Sequence, residues 1–166
     1  PNGIRAGKAW QFTREQARFV LWFYALDDAG RWLFHHGARR LAKGSGKSPF
    51  AAVMALVELL APVRFDHWDE KVPGGAVGKS VSMPWVQIAA VSLDQTENTM
   101  RMVRAMASPA NAPALHRDYS LDVGKTQIFV QPEGKLEVIT SSAATAEGAE
   151  STFVIGDELS IGPRRM

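Results

Sequence analysis

The chain has 166 residues, a formal net charge of +2, 46% hydrophobic residues and no cysteine. This composition excludes a disordered chain, a collagen and a scaffold built on disulfide bonds. The longest uninterrupted apolar stretch, residues 49–57, is far shorter than the roughly 20 residues that a membrane-spanning helix needs. We therefore expect a soluble intracellular protein that folds as one domain around a substantial core.

The charges are unevenly distributed along the chain. No acidic residue lies between Asp28 and Glu58, whereas this interval holds five Lys and Arg residues and two His residues. From Glu133 to Glu158 the balance reverses, because six acidic residues accompany Lys135 alone. A basic and an acidic segment suit a site that holds a polyanion through a divalent metal, and they equally suit two solvated faces.

The first third of the chain predicts one helix followed by two short strands. Thr13 and Gln16 have the spacing of a capping box, so a helix with a wide apolar face is expected over residues 14–26. Residues 31–36 alternate polar and aromatic side chains as a strand does. Residues 38–42 form a second strand candidate, with an unusual amount of charge for the centre of a sheet.

The middle of the chain predicts two helices separated by a strand. Residues 49–61 form a helix in which only Glu58 is charged, which indicates that this helix lies buried against a sheet. Residues 62–84 are rich in proline and glycine, and we expect an irregular excursion or loop there. Residues 85–91 form a nearly continuous apolar strand, after which a capping box opens a helix over residues 92–107.

The last third of the chain predicts a hairpin and one further strand. Residues 127–130 and 136–140 flank a compact turn in which Gly134 is expected at positive φ. Residues 140–151 are small and polar, as in a loop, and residues 152–155 form a short buried strand. The alternation of strands with buried helices predicts an α/β sandwich whose central strands are parallel.

The triplet Gly-Lys-Ser/Thr occurs three times, with its lysine at Lys47, Lys79 and Lys125. A phosphate-binding loop needs a preceding strand and a following helix, whose amides and positive dipole end point at the phosphates. Only the triplet at Lys47 is followed by a predicted helix, since a proline follows Lys79 at position 84 and a predicted strand follows Lys125. The sequence therefore predicts that Lys47 is the phosphate-directed lysine.

The candidate phosphate loop covers residues 41–48 and departs from the usual pattern. The position that normally holds the first glycine is Leu41. Gly44 and Gly46 still allow the backbone to wrap an anion, Lys47 can reach the outer phosphates, and Ser48 can bind Mg²⁺. The alternative is a glycine turn before an ordinary helix.

A second candidate element is the pair Asp157 and Glu158, which directly follows the predicted strand over residues 152–155. Ligands of open α/β sheets bind at the carboxyl ends of the strands. Asp157 would hold Mg²⁺, and Glu158 would orient and deprotonate a water that attacks the γ-phosphate. A strand entering a polar loop has the same pattern, but the two elements together predict an ATPase with a P-loop NTPase fold.

These segments resemble the large subunit of bacteriophage terminase, the ATP-driven motor that packs DNA into capsids, and the loop over residues 39–52 is similar to that of tailed actinophages. The family's variant loop carries a basic residue, usually arginine, where this chain has Lys43. Lysine keeps the charge and loses the bidentate fork. Residues 12–20 resemble the adenine-contacting region, with Gln16 as the base reader. There are two alternatives: Gln16 is only the partner in the capping box, or the base is contacted by Trp10 and Gln11.

The resemblance implies a three-layer α/β/α sandwich with a mostly parallel sheet, and hydrolysis of ATP with Mg²⁺ that drives double-stranded DNA into the capsid. It further implies as partners the capsid portal protein, the small terminase subunit and neighbouring copies in a ring, all in the host cytoplasm and without a membrane. The implied catalytic residues are Glu158, Lys47 and Lys43, the metal ligands are Ser48 and Asp157, and the nucleotide contacts are Gln16, Lys43, Gly44, Ser45, Gly46, Lys47 and Ser48.

Residues 1–166 are expected to be a fragment of the ATPase domain, because the family continues after the acidic strand with a coupling motif and a nuclease domain. Two rival functions remain. A helicase-like nucleic-acid-dependent ATPase shares both nucleotide motifs and would need a second motor domain. A nucleotide-binding scaffold would use the acidic pair for structure only.

Overall fold

The computed structural model describes residues 8–42, 44–90, 93–140 and 150–156. These residues fall into two compact units. The first unit contains residues 8–42, 44–45 and 62–80, and the second contains residues 46–61, 81–90, 93–140 and 150–156. The prediction of a single domain over residues 1–166 stays a prediction. Among the described residues, no helix is both long enough and apolar enough to cross a membrane.

The first unit begins with helix α1, Arg14–Phe23, and its capping box is present as predicted. The Gln16 amide donates to Thr13 Oγ1 at 3.2 Å, and the Thr13 amide donates to Gln16 Oε1 at 3.0 Å. The helix ends earlier than the predicted residue 26. The reason is the turn that follows, in which the Asp27 carboxylate accepts the amides of Ala29 and Arg31.

The two strands predicted over residues 31–36 and 38–42 are wrong for the described residues, where only a single bridge joins Leu26 to Trp32. The aromatic residues that suggested a strand pack as rings instead, and the Trp22 and Phe34 rings meet edge to face. The Arg39 guanidinium, in the charged second candidate, lies over the Phe19 ring. The alternating pattern therefore serves ring packing, of Phe34 on Trp22 and of Trp32 on Tyr24, and not a ladder of hydrogen bonds.

Residues 62–84 are more regular than predicted. Strands β1, Arg64–Trp68, and β2, Ala76–Lys79, form an antiparallel hairpin. The proline and glycine run is confined to the turn, which the Asp69 amide closes on the Gly75 carbonyl at 2.7 Å. Gly78 permits a close approach of the chain, because a Cβ at this position would overlap the Pro62 carbonyl oxygen.

In its described residues, the second unit holds three helices and one sheet of five strands. The predicted helices and the predicted hairpin are confirmed, and their ends differ from the predicted ones by two residues or fewer. The short helix and the short strand that follow residue 112 were not predicted. The capping box expected at the third helix begins at Ser92, outside the described residues. The elements in chain order are α2 Lys47–Leu60, β3 Trp85–Ala90, α3 Leu93–Met106, α4 Pro113–Tyr119, β4 Leu121–Val123, β5 Gln127–Val130, β6 Gly134–Thr140 and β7 Phe153–Gly156.

The sheet has the order β4-β5-β6-β3-β7 and is mixed. Strand β3 runs parallel to β6 and β7, as predicted for the central strands, while β4, β5 and β6 are antiparallel neighbours. The expectation of a mostly parallel sheet is therefore met only by three of the five strands. The hairpin glycine Gly134 does not have the positive φ that was predicted. It is needed because a Cβ there would overlap the Val130 side chain.

The core of the second unit lies between one face of the sheet and its helices. Val86 and Ile88 of β3 are fully buried there together with Leu136 of β6, and Leu59 of α2 and Val103 of α3 belong to the same cluster. Helix α4 adds a partly buried leucine to this cluster. All three helices described in the second unit thus contribute to one core, and the second helical layer of the predicted sandwich stays a prediction.

The opposite face of the sheet carries a polar network centred on Glu137. Its carboxylate accepts the indole N–H of Trp85 at 2.7 Å and the amide group of Gln87 at 3.1 Å. Lys135 Nζ lies 3.4 Å from Glu137 Oε2 and 4.0 Å from the centroid of the Trp85 ring. Burial alone would raise the pKa of Glu137, but the hydrogen bonds from Gln87 and Trp85 and the charge of Lys135 outweigh burial and lower this pKa.

Glu137→Gln is expected to reduce the free energy of unfolding by about 1–3 kcal/mol at pH 7, because charge-assisted hydrogen bonds are lost. The folded-state pKa of Glu137 lies below the ordinary value of 4.5. The carboxylate therefore stabilises the fold fully above that value, and its contribution is lost as the pH falls through the folded pKa. Denaturant unfolding at pH 7 and pH 3 measures the difference between parent and variant, which should shrink at pH 3.

The matched control is Glu133→Gln, because Glu133 is an exposed carboxylate in the turn before β6. This variant should stay within about 0.5 kcal/mol of the parent at both pH values. An equal loss for Glu137→Gln at pH 7 and pH 3 would contradict a role for its charge.

Candidate phosphate-binding site

The loop before α2 turns through two glycines in the left-handed region. Gly44 has φ +82° and Gly46 has φ +79°. A Cβ at Gly44 would meet nothing within 4 Å, so the backbone conformation and not a lack of space requires glycine there. Between them, the Ser45 amide donates to the Ala42 carbonyl at 3.4 Å. The loop residue Lys43 lies outside the described residues.

Gly46 is the N-cap of α2, and the Phe50 amide closes the first turn on its carbonyl at 3.1 Å. A glycine cap supplies no side chain to the helix end, Pro49 has no amide hydrogen, and the first turn contains no acidic residue. The positive end of the helix dipole thus coincides with the cation of Lys47 and the hydroxyl of Ser48, both half-buried. This combination suits an anion.

The two other Gly-Lys triplets have different surroundings. Lys79 closes β2 and forms an ion pair with Asp66, with 3.3 Å between Lys79 Nζ and Asp66 Oδ1. Before Lys125, the Gly124 amide donates to the Gln127 carbonyl at 2.9 Å in the tight connection between β4 and β5. Neither triplet opens a helix, so the context that distinguished Lys47 in the sequence is present in the structure.

The strand expected before the phosphate loop, over residues 38–42, is absent from the described residues. The loop therefore departs from the usual strand–loop–helix unit on its first side. Its second side has the expected form, because α2 is long and largely buried.

Strand β7 leads directly to the predicted acidic pair. It pairs in parallel with β3, so both strands have their carboxyl ends at the same edge of the sheet. Phe153 and Ile155 pack against the core, whereas Val154 is 51% exposed. The strand is therefore covered on one face only, and it lies at an edge of the described sheet, where β3 is its single neighbour. Asp157 and Glu158 lie outside the described residues.

The two base-contact candidates differ in how their polar groups are used. Gln16 is 5% exposed, and its side-chain oxygen is occupied by the capping box. Trp10 has a buried indole nitrogen that finds no hydrogen-bond partner in the described part of the chain, and its ring meets that of Phe12 edge to face. The capping interaction of Gln16 is thus observed, and Trp10 is the candidate whose donor is unsatisfied.

Metal ligands were predicted at Ser48 and Asp157. The Ser48 hydroxyl lies in the first turn of α2, beside the cation of Lys47, which is a suitable position for an oxygen ligand of a nucleotide-bound Mg²⁺. Within the described ranges, no group of three His, Cys, Asp or Glu side chains could hold a metal by itself.

Comparison with known proteins gives two relatives and one solved structure. No family model matches the chain. The chain is 44% identical over 146 residues to the Gene 13 protein of Mycobacterium phage L5 and 43% identical over 146 residues to that of Mycobacterium phage D29. In each case 88% of this chain is aligned, but it spans only 24% of the relative, which is about a quarter of its length.

The fold is similar to that of the large terminase of bacteriophage HK97. The crystal structure of that protein matches 93% of this chain with a TM-score of 0.62, at 16% sequence identity and over 28% of its own length. The chain therefore has a terminase-like α/β fold.

Gly46→Ala is expected to destabilise the nucleotide-free protein by about 1–2 kcal/mol, because an L-residue at φ +79° strains the backbone. For a chain of this length the melting temperature should fall by roughly 2–8 °C. Ser45→Ala in the same loop is the control, since Ser45 is exposed and has no positive φ. Thermal unfolding followed by circular dichroism measures both, and equal melting temperatures for Gly46→Ala and the parent would refute the left-handed cap.

Proposed function

We propose that the chain is part of the ATPase motor domain of a DNA-packaging terminase large subunit. The observation that carries this proposal is the Gly46-Lys47-Ser48 triplet at the left-handed cap of the buried helix α2. It is supported by strand β7, which precedes Asp157 and Glu158, and by the terminase-like fold. ATP is the substrate and Mg²⁺ the metal.

Phosphate binding would use the backbone and two side chains. The amides of residues 44–48 surround the phosphates, and Lys47 neutralises the charge of the outer ones. Lys47 and Ser48 start a helix that is held by its buried face, so they are preorganised before the nucleotide arrives. Positioning of this kind, and not covalent chemistry, is what the protein supplies in phosphoryl transfer.

Hydrolysis would use the acidic pair after β7. The Glu158 carboxylate orients a water in line with the γ-phosphate and accepts its proton. Ser48 and Asp157 would hold Mg²⁺, which neutralises charge on the phosphates when it is bound. Lys43, or an arginine from a neighbouring copy, would stabilise the charge of the transition state. Gln16 or Trp10 would contact the base.

The role of the whole protein is a further part of the proposal, since the chain spans about a quarter of its curated relatives. The hydrolysis cycle would drive double-stranded DNA into a capsid in the host cytoplasm. The partners would be the portal protein, the small terminase subunit and neighbouring copies in a ring. A nuclease activity would belong to the part of the protein outside this chain.

Lys47→Ala is expected to weaken binding of a non-hydrolysable ATP analogue with Mg²⁺ by at least about tenfold, because a charge-assisted contact to phosphate is lost. Lys79→Ala and Lys125→Ala are matched controls from the other two triplets. Both should bind the analogue within about twofold of the parent, since neither lysine starts a helix. Calorimetric titration measures all four proteins, and an equal loss for the three variants would remove the assignment of Lys47.

Glu158→Gln is expected to preserve binding of the analogue and to lower ATP turnover by about 10² to 10⁴-fold, because the amide keeps the shape but cannot accept a proton. Asp157→Ala should instead lose the Mg²⁺-dependent part of the affinity. Steady-state phosphate release and titration with and without Mg²⁺ separate the two effects. Turnover of Glu158→Gln at the parent rate would exclude Glu158 as the base.

A further inference from the structure

The first unit contains a shallow pocket that has no part in the phosphate loop. Its volume is about 320 Å³, and all of its lining residues belong to the first unit. The lining residues are Gly30, Trp32, His35, Arg64 and Phe65.

The pocket is formed by a turn and a strand that are held in place. Gly30 has φ +77°, and a Cβ there would overlap the Phe65 ring, so this ring packs on bare backbone. The turn before Trp32 is closed by the Asp27 carboxylate, which accepts the Arg31 amide at 2.8 Å. On the strand side, the Trp68 ring lies 5.1 Å from the Phe65 ring, centroid to centroid. The walls are therefore preformed.

The chemistry of the walls is aromatic and cationic. The Arg64 guanidinium lies 4.6 Å from the centroid of the Trp32 ring, and the Trp32 and Tyr24 rings meet edge to face. His35 adds an exposed imidazole, and none of the five lining residues is acidic. Aromatic rings and guanidinium planes stack on nucleobases, and a guanidinium and an imidazole donate to phosphate oxygens.

We propose that this pocket binds one nucleotide unit, with an unpaired base against Phe65 and the Arg64 guanidinium, which itself lies over the Trp32 ring, and a phosphate near Arg64 and His35. A volume of about 320 Å³ lies at the lower end of ligand pockets, which suits one nucleotide and not a base pair. The nucleotide can belong to a single strand or be free. The proposal goes beyond ATP hydrolysis, because no residue of the phosphate loop takes part.

The test measures binding of the protein to a labelled oligothymidylate of ten nucleotides, by fluorescence anisotropy at low salt. Arg64→Lys keeps the charge but removes the plane, and it should weaken binding about tenfold. His35→Ala should weaken binding without affecting the fold, because the His35 side chain is exposed. Arg40→Lys and His36→Ala are the matched controls, because both residues are exposed and lie outside the pocket, and they should bind within about twofold of the parent. A melting curve for each variant verifies folding.

Competition with unlabelled thymidine monophosphate and with a duplex of the same length identifies the source of the nucleotide. If thymidine monophosphate displaces the labelled oligonucleotide from the parent and not from Arg64→Lys, the pocket is a site for free nucleotides. If only unlabelled single strands displace it, the pocket is a site for single-stranded nucleic acid. Equal displacement by the duplex, or parent-like affinity of Arg64→Lys and His35→Ala, overturns the proposal. Lys47→Ala should bind the oligonucleotide as the parent does, which separates this result from the outcome for ATP.

Discussion

Burial of helix α2 against the parallel strands is the constraint on which the candidate phosphate site depends. The local signals for the start of this helix are weak, because Gly46 provides no side-chain cap and the first turn has no acidic residue. A side-chain cap contributes typically about 1 kcal/mol. Burial of Leu59 and Leu60 in the core shared with these strands contributes about 1.5–3 kcal/mol each. Packing therefore fixes where the helix lies, and the left-handed Gly46 only has to permit its start.

The same sheet separates two kinds of interaction on its two faces. Side chains alternate along a strand, so Val86 and Ile88 of β3 join the helix-covered core while Trp85 and Gln87 point to the other side. There they hold Glu137 of the neighbouring strand in its ionised form. Strand β6 is thus tied to β3 by apolar packing on one face and by charge-assisted hydrogen bonds on the other. Strand β7, which leads to the acidic pair, forms its own ladder with β3 and so depends on the position of β3 beside β6.

The first unit is held by aromatic packing on close backbone turns, and not by a sheet core. The Phe65 ring packs directly on the backbone of Gly30. A Cβ added at Gly37 would lie 3.0 Å from the Phe19 ring. Arg39 and Arg64 lie over aromatic rings in the same unit. Cations are therefore held beside ring faces, an arrangement that also suits stacking of a nucleobase.

The sequence by itself determined the features that depend on contacts within a few residues. The capping box of Thr13 and Gln16, the helix after Lys47, the strand after Pro84 and the hairpin around residues 131–134 were all predicted, because propensity and turn chemistry are local. The choice of Lys47 among three similar triplets followed from the helix alone. The roles of Lys43, Asp157 and Glu158 came from motif and resemblance, and they stay predictions.

Only the tertiary structure decided the segments whose partners are distant in the chain. Residues 31–36 alternate like a strand, but the Phe34 ring packs on Trp22 of α1 and the Trp32 ring lies beneath the Arg64 guanidinium. Residues 62–84 contain many turn-forming residues, yet pairing of Arg64 with Lys79 makes most of them a hairpin. Position 134 required glycine for lack of space beside Val130, and not for its φ. Periodicity shows which side chains share a face, and the partner of that face is selected by packing across the fold.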